Sequence, residues 1–253
     1  MFIQINMPNI ENIIIQDGNE QSPVENMYKQ SVENIQTKPI IVLDLDLTLI
    51  HAVSSSDIEK KYPDKRVMAT KLSSLKLHDM KEGNKSYYLV FERPGLQEFL
   101  DYLFKNFRVI VWTAATKSYA AFIIEKIILQ KKERDLEYAF VHYHCKRSKK
   151  RYGSDNPKNL GMLMDKYKIK GMNKKNTLII DDHPDVKAKN NNRCVVAPEF
   201  LALDEETLNP ILNAPNDNFL PKLTAKLDEY IEIYRKNGGV DDVNTFIETL
   251  TSK

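Results

Sequence analysis

The chain has 253 residues, of which 42% are apolar, so it is long and apolar enough for one large domain with a sizeable core. Its 37 basic and 35 acidic residues leave a net charge of only +2, which excludes a whole-molecule field that would attract nucleic acid. Two cysteines are too few for a disulfide scaffold, and no apolar run reaches the roughly 20 residues that a membrane helix requires. We therefore expect a soluble intracellular protein, in the nucleus or the cytoplasm, that contacts no membrane.

Residues 1–38 are rich in Asn, Gln and Glu and carry neither a basic signal-peptide start nor an Arg-rich transit pattern. This composition predicts a partly flexible N-terminal arm, followed by a main domain of residues 39–253. A short apolar patch at residues 13–15 interrupts the arm. The sequence leaves open whether this patch packs on the main domain or has no structural role.

From Pro39 onward, apolar runs alternate with helical patterns. The runs predict buried strands at residues 40–43, 109–112, 138–142, 177–180 and 193–196. Helices are predicted after Pro94, from Lys117, over 158–168, over about 220–236, and from Val240. Two further strand patterns, at 71–78 and 85–92, are joined by a turn around residues 82–84. Strands that alternate with helices are typical of an α/β fold, with a central parallel sheet flanked by helices.

Polar residues follow three of the predicted strands at the point where each strand ends. Asp44 and Asp46 follow the first strand, Thr113 follows the second, and Asp181 and Asp182 follow the strand at 177–180. Ligands of an open parallel sheet bind at the carboxyl ends of its strands. If these strands are neighbours, their ends converge on one acidic pocket.

The spacing of the first two carboxylates favours a metal site. Residues two apart in an extended chain point to the same side, so Asp44 and Asp46 would lie together. With Asp181 and Asp182 added, the carboxylates would repel one another strongly unless a cation lay between them. Magnesium suits such a site, because it takes oxygen ligands and keeps positions for water and phosphate oxygens. A magnesium site beside a hydroxyl favours phosphoryl chemistry.

The residues around Asp44 resemble a known superfamily. Asp44-Leu45-Asp46-Leu47-Thr48 resembles the DxDx(T/V) signature of the haloacid dehalogenase superfamily. More narrowly, VLDLDLTLIH (42–51), ERPGLQEFLDYLFKNFRVIVWTAATKSYA (92–120) and TLIIDDHPDV (177–186) resemble the FCP/SCP-type C-terminal-domain phosphatases, also called the NIF-like family. The ending GGVDDVNTFIETL (238–250) resembles the C-terminal helix of that family. The resemblance covers about residues 39–250 and implies a Rossmann-like fold with a small β-hairpin cap inserted at about residues 52–92.

The resemblance implies a role for each of the five strand-end residues. Asp44 corresponds to a nucleophile that becomes an aspartyl phosphate. Asp46 corresponds to the general acid and base, and it would also give its backbone carbonyl to Mg²⁺. Thr113 corresponds to the hydroxyl that holds the transferring phosphoryl group. Asp181 and Asp182 correspond to the remaining element of the metal site, with Asp182 as the preferred ligand.

The family also uses a lysine that neutralises the phosphoryl oxygens. Lys158 fits this role best. The segment from Lys158 to Asp181 is longer than the resemblance leads us to expect, which leaves Lys149 and Lys150 as alternatives.

A basic run, KRSKKR, occupies residues 146–151. It resembles a nuclear localisation signal, it could bind an acidic or multiply phosphorylated peptide, and it could equally be a solvated loop. Just before it lie His142, His144 and Cys145. A zinc site there would need a further ligand, so we interpret these residues as a buried strand end.

We therefore expect magnesium-dependent hydrolysis of a phosphomonoester, with phosphoserine or phosphothreonine of a protein as substrate and the repetitive tail of an RNA polymerase subunit as a candidate. A small cap leaves the pocket open to a protein side chain. One alternative is a nucleic-acid 3′-phosphatase or small-molecule phosphatase on the same fold, although the modest net charge disfavours duplex binding. Another is a binding module without catalysis, a class in which the catalytic aspartates are degraded. The Asn- and Lys-rich composition fits a large DNA virus or an AT-rich eukaryote as source.

Overall fold

The computed structural model describes residues 13–15, 38–155 and 157–239 of the chain. Its strands are β1 (Ile40–Leu43), β2 (Ile50–Ser54), β3 (Leu77–Glu82), β4 (Lys85–Glu92), β5 (Arg108–Trp112), β6 (Leu136–Phe140), β7 (Thr177–Asp181) and β8 (Cys194–Val196). Its α-helices are α1 (Ser55–Lys61), α2 (Lys65–Leu72), α3 (Leu96–Asn106), α4 (Lys117–Ile123), α5 (His142–Tyr152), α6 (Pro184–Asn190) and α7 (Phe219–Asn237). Single π-helical turns lie at Ile124–Ile128, directly after α4, and at Met162–Lys166. Short 3₁₀ turns lie at Asn191–Arg193 and Ala214–Asn216.

Five strands form a parallel sheet in the order β6-β5-β1-β7-β8. The central strand, β1, is apolar at all four positions and fully buried, which is expected of a strand with a layer on each face. Ile41 and Leu43 point into one core cluster, which the apolar residues of α3, α4 and α7 complete. Ile40 and Val42 point into the other, with Leu160 and residues after it. The predicted α/β fold class, a parallel sheet flanked by helices, is confirmed.

Register fixes which residues meet at the carboxyl edge of this sheet. Leu43 pairs with Val111 of β5 on one side and with Ile180 of β7 on the other. The next residue of each strand is therefore level across the sheet. This places Asp44 level with Trp112 and Asp181, with Thr113 one position further on.

The inserted cap is larger than a hairpin. Strands β3 and β4 form the predicted hairpin, and β2 adds to β4 to give an antiparallel sheet in the order β2-β4-β3. Helices α1 and α2 lie between β2 and β3 and contribute Ile58 and Leu72 to a small core with Phe91 and Phe200. The strand predicted at 71–78 is wrong over residues 71–76, because Leu72 ends α2 and packs in this core, and β3 begins only at Leu77.

Two other predicted elements differ from the structure. The strand expected at 138–142 ends at Phe140, and His142 instead begins α5. The reason is local, because His144 Nδ1 accepts a hydrogen bond from the Val141 backbone N–H at 2.9 Å and so caps the first turn of the helix. The basic run is the outer part of α5 rather than a loop.

The apolar patch of the N-terminal arm packs on the main domain. Ile13, Ile14 and Ile15 are buried, and the Ile15 N–H donates to the Ala139 carbonyl at 3.1 Å. Ile14 forms a parallel bridge with Ala139, on β6 at the edge of the sheet. Covering an edge strand in this way hides backbone groups that would otherwise pair with another chain.

The helix predicted from Val240 lies outside the described residues. Within the described ranges, no helix combines the length and apolar character needed to cross a bilayer.

Candidate active site

Three carboxylates meet at the carboxyl edge of the sheet. Asp44 follows β1, Asp181 ends β7, and Asp182 follows it. Each offers an oxygen that lies within 4.8 Å of the others. Asp44 and Asp181 are buried and Asp182 is half-buried, so the trio faces little bulk water. The structure therefore brings together three of the residues predicted from the strand ends.

Lys158 lies between two of these carboxylates. Its Nζ is 2.6 Å from Asp44 Oδ1 and 2.7 Å from Asp181 Oδ2, and its side chain is 5% exposed. Lys149 and Lys150, the alternatives for a phosphate-neutralising lysine, are exposed on α5. Of the three lysines considered, Lys158 is the one in contact with the acidic trio.

Asn190, at the end of α6, holds the backbone of Lys158. Its Nδ2 donates to the Lys158 carbonyl at 2.6 Å, and its Oδ1 accepts from the Leu160 N–H at 2.9 Å. Asn190 is 1% exposed, and each of these groups would otherwise be a buried polar atom without a partner. This contact explains how a lysine on an irregular segment keeps a fixed position.

Thr48 fixes Asp182. The Thr48 hydroxyl donates to Asp182 Oδ1 at 2.8 Å and accepts from the Asp182 backbone N–H at 3.1 Å. The segment that carries Thr48 bends sharply, with Leu47 at φ 59°, a region that residues other than glycine rarely adopt. The Phe200 N–H holds this bend by donating to the Leu47 carbonyl at 2.7 Å.

Asp46 stands beside the trio rather than in it. Its Oδ1 accepts a hydrogen bond from the Tyr119 hydroxyl at 2.6 Å, and it is half-buried. Tyr119 lies on α4, which follows β5, and its ring packs edge-on against Tyr88 of the cap at a centroid distance of 5.5 Å. A side chain of the cap is thus linked to Asp46 through one tyrosine.

Thr113 follows β5 on the strand next to β1 and is 1% exposed. Its N–H donates to the Phe140 carbonyl at 2.9 Å, and its Oγ1 accepts from the Ala115 N–H at 3.1 Å. Cys145 of α5 donates from its Sγ to the Thr113 carbonyl at 3.5 Å. Thr113 is therefore held at the same edge of the sheet as the acidic trio.

Burial dominates the electrostatics of the site. It raises the pKa of Asp44 well above its usual range, and although Lys158 opposes this shift, the charges of Asp181 and Asp182 add to it. Burial also raises the pKa of Asp46, with the Tyr119 hydrogen bond acting in the opposite direction. Burial alone would lower the pKa of Lys158, but the Asp44 and Asp181 carboxylates outweigh it and raise that pKa. Lys158 is therefore a permanent cation.

The donor set fits a hard divalent cation. Four carboxylates, those of the trio and of Asp46, face a single lysine, so the site carries excess negative charge when ionised. All the donors are oxygens, which suits Mg²⁺ or Ca²⁺ rather than a metal that prefers sulfur or imidazole. A cation among the trio would offset the repulsion that now raises the pKa of Asp44.

Sequence reasoning missed three residues of the site. Thr48 could have been found, because it completes the signature that contains Asp44 and Asp46. Tyr119 occupies an apolar position of an amphipathic helix, and its hydroxyl gave no spacing signal. Asn190 lies 32 residues from Lys158 in the sequence, so only the tertiary structure shows the contact.

The fold and the site define a phosphatase of the haloacid dehalogenase type: a parallel sheet with an acidic cluster at its carboxyl edge and a small cap. Within that class, the sequence pattern of the NLI interacting factor-like phosphatases matches residues 39–237, and the chain belongs to this family.

Relatives agree with this assignment. A putative CTD phosphatase-like protein of Invertebrate iridescent virus 6 is 40% identical over 169 residues, which cover 66% of this chain and 88% of the relative. A protein of the same description from Invertebrate iridescent virus 3 is 41% identical over 137 residues, covering 52% and 69%. Nuclear envelope morphology protein 1 of Saccharomyces cerevisiae is 30% identical over 99 residues, covering 39% and 21%.

The fold resembles that of Fcp1, described as an essential RNA polymerase II CTD phosphatase. The TM-score is 0.53 at 20% identity, covering 85% of this chain and 70% of that one. The fission yeast enzyme bound to beryllium fluoride gives 0.54 at 18% identity, covering 85% and 71%. At this level of identity the likeness concerns the fold alone.

Proposed function

We propose that the protein hydrolyses phosphoserine or phosphothreonine in a protein substrate, in a magnesium-dependent reaction that passes through an aspartyl phosphate on Asp44. The observation that carries this proposal is the contact of Lys158 with Asp44 and Asp181 inside a buried acidic trio. A lysine held there is placed to offset the charge of a phosphoryl group that arrives at Asp44.

The reaction has two displacements. An Asp44 carboxylate oxygen attacks phosphorus, and the bond from phosphorus to the serine or threonine oxygen breaks. The Asp46 carboxyl group, whose raised pKa favours the protonated form, gives its proton to the leaving oxygen. A water molecule then attacks the phosphoryl group on Asp44, Asp46 takes the proton from that water, and inorganic phosphate leaves.

Mg²⁺ would be held by carboxylate oxygens of Asp44 and Asp182 and by the backbone carbonyl of Asp46, with Asp181 as a neighbouring carboxylate. When bound, it supplies Lewis-acid stabilisation of the phosphoryl oxygens. The chain's own part is to fix the ligands: Thr48 orients Asp182, and the register of β1 and β7 places Asp44 beside Asp181. Thr113 would bind the transferring phosphoryl group through its hydroxyl.

Two observations support a protein substrate. The cap is a three-stranded sheet with two short helices, and a cap of this size would admit a side chain on a flexible peptide. Two viral relatives are described as CTD phosphatase-like, and for that reason the repetitive C-terminal domain of an RNA polymerase subunit is the first substrate to test.

Turnover of p-nitrophenyl phosphate tests the catalytic part of the proposal. We expect wild-type protein to hydrolyse it with Mg²⁺ and not after EDTA treatment, and Asp44→Asn to lose at least about a thousandfold in kcat. Asp185→Asn, which changes an exposed carboxylate outside the trio, serves as the matched control. Equal activity of Asp44→Asn and wild type would remove Asp44 from the reaction.

The substrate class is tested separately. A phosphoserine peptide and a 3′-phosphorylated oligonucleotide should be compared at equal concentration. We expect kcat/KM to favour the peptide, since a small cap would admit a side chain and a net charge of only +2 attracts nucleic acid weakly. Faster turnover of the oligonucleotide would assign the enzyme to nucleic-acid repair instead.

A further inference from the structure

Helix α5 carries a strongly basic outer surface. Lys146, Lys149 and Lys150 are exposed, and their spacing of three and four residues puts them on one face of the helix. We call these three residues the α5 basic face. Cys145 and Ser148 are buried on the opposite side, so the helix is amphipathic, with a polar cationic face turned to solvent.

No carboxylate of a described residue pairs with this face. The sequence of α5, HYHCKRSKKRY, contains no acidic residue. Within the described part of the chain, none of the three lysines forms a salt bridge, and the nearby Asp155 is paired with Lys189 at 2.7 Å. Like charges at this spacing destabilise a helix, and the favourable position of Lys149 and Lys150 near its C-terminus offsets only part of that repulsion.

The buried side of α5 contacts the active site directly. Cys145 donates to the Thr113 carbonyl, and the Ser148 hydroxyl accepts from the Asn159 N–H at 3.1 Å, next to Lys158. The helix also starts where β6 ends, at the same edge of the sheet as Asp44. The α5 basic face therefore lies on the solvent side of a helix whose buried side contacts the segments that carry Thr113 and Lys158.

The buried carboxylates of the pocket and the exposed lysines of α5 have different consequences for a substrate. Four carboxylates in the pocket would repel an acidic peptide, and Lys158 together with a bound cation is needed for the phosphoryl group itself. The flanking residues of an acidic peptide gain nothing from those buried charges. The exposed lysines of α5, which form no salt bridge with a described residue, would attract them and would raise the association rate by electrostatic steering.

We propose that the α5 basic face binds acidic or additionally phosphorylated residues that flank the phosphorylated side chain of the substrate. The proposal rests on the proposed phosphoprotein phosphatase function and adds a preference for acidic sequence context. It assigns to Lys146, Lys149 and Lys150 a role in substrate selection that is separate from phosphoryl transfer.

The test compares two peptides and two triple variants. One peptide carries a single phosphoserine flanked by glutamates, and the other carries glutamines at the same positions. We expect Lys146→Gln, Lys149→Gln and Lys150→Gln combined to reduce kcat/KM for the glutamate peptide roughly tenfold, mainly through KM, since three exposed charge contacts are lost. The glutamine peptide and p-nitrophenyl phosphate should change less than about twofold.

The control triple combines Lys105→Gln, Lys132→Gln and Lys174→Gln. These lysines are also exposed, they form no salt bridge to a described residue, and they precede β5, β6 and β7 at the opposite edge of the sheet. The control removes the same charge and should leave the glutamate peptide's kcat/KM within about twofold of wild type. Arginine at the three α5 positions should restore it, because arginine keeps the charge.

Each outcome separates the two proposals. Failure of wild type to hydrolyse either peptide, with p-nitrophenyl phosphate still turned over, overturns the protein-substrate assignment. Turnover of both peptides with equal kcat/KM, or equal effects of the two triple variants, overturns the role of the α5 basic face alone. Binding of a single-stranded oligonucleotide that depends on the α5 lysines, without any difference between the peptides, would assign the face to nucleic acid and also overturns the proposal.

Discussion

At the scale of single residues, the partner of Asp46 distinguishes it from the other site carboxylates. Lys158 forms salt bridges with Asp44 and Asp181 of the trio, whereas Asp46 accepts a hydrogen bond from the Tyr119 hydroxyl. Burial, and then the charge of Asp46, raise the pKa of Tyr119, so the phenol stays protonated and remains a donor. A donor that points at one carboxylate oxygen leaves the second free to meet a leaving group. Tyr119 is therefore a positioning residue for the proposed general acid.

The Tyr119→Phe variant tests this role through the leaving group. A phosphoserine peptide releases a poor alkoxide that needs a proton, whereas p-nitrophenyl phosphate releases a stable phenolate that does not. We expect kcat for the peptide to fall roughly tenfold and kcat for the aryl phosphate to change little. Tyr87→Phe removes a hydroxyl from an exposed ring on the cap and serves as control. An equal loss for both substrates would mean that Tyr119 acts only on the stability of the site.

The sequence predicted the position of a site residue correctly where that residue stands at the end of a strand of the parallel sheet. Asp44, Asp181 and Asp182 were expected together because parallel strands end at one edge, and the register places them there. Tyr119 and Asn190 could not be predicted in the same way. Each acts through a side-chain atom on a helix, and helical periodicity reports which face is buried but not which distant group a hydroxyl or amide meets.

At the scale of elements, the regular strands and the long helices were predictable, whereas the two helices of the cap and helix α5 were not. The strands of the main sheet are apolar runs, and α3 and α7 have one continuous apolar face. Helix α2 is only eight residues long and buries only Leu72, so it lacks a long apolar face that the sequence could reveal. The start of α5 depends on a side-chain cap from His144, and aromatic residues around it imitate a strand. A local sequence pattern does not predict an element correctly where a tertiary contact or a helix-capping side chain decides the structure.

The cap is fastened to the main domain through its first strand. His51 of β2 is 4% exposed, and its Nδ1 accepts hydrogen bonds from the N–H groups of Ala202 at 3.0 Å and Leu203 at 3.4 Å. Burial lowers the pKa of His51 from 6.5 to about 4. The folded protein therefore holds His51 neutral, which keeps Nδ1 available as an acceptor.

This lowered pKa predicts a loss of stability in acid. Below about pH 6.5 His51 becomes protonated in the unfolded chain, whereas in the folded protein it stays neutral until about pH 4. The free energy of unfolding therefore falls as the pH drops from about 6.5 to about 4. Between about pH 7 and pH 5 the loss from this residue should be about 2 kcal/mol. Urea unfolding of wild type and of His51→Asn, which keeps an acceptor near the Nδ1 position, measures it. A variant with the same pH dependence as wild type would contradict the prediction.

At the scale of the whole molecule, a net charge of +2 hides a strong separation of charge. Buried carboxylates gather at the carboxyl edge of the sheet, whereas Lys146, Lys149 and Lys150 are exposed on the neighbouring helix α5. Composition could exclude a polyanion-binding protein with a uniform field. It could not reveal this arrangement, because the carboxylates come from segments as distant in sequence as Asp44 and Asp181, which only the fold brings together. The fold therefore gathers charges of one sign into a single site, although the net charge of the chain is small.

Such a site should lower the stability of the protein that carries it. Asp44, Asp181 and Asp182 approach within 4.8 Å with one lysine among them, and the charges of Asp181 and Asp182 make ionisation of Asp44 harder. Without a cation, removing one charge should relieve repulsion. With a cation, the same carboxylates become ligands, and binding to the folded state alone stabilises it.

The Asp182→Asn variant separates these two effects. Asparagine retains the Oδ1 that accepts from Thr48, so the local hydrogen bond can persist while the charge is lost. In EDTA we expect the melting temperature of the variant to be a few degrees higher than that of wild type, as relief of about 1 kcal/mol would give. Added Mg²⁺ should raise the melting temperature of wild type and of the exposed control Asp185→Asn, but not that of Asp182→Asn. A lower melting temperature of the variant than of wild type in EDTA would show that the charge of Asp182 does not destabilise the metal-free protein. A rise of the variant's melting temperature with Mg²⁺ would show that Asp182 is not needed to bind the ion.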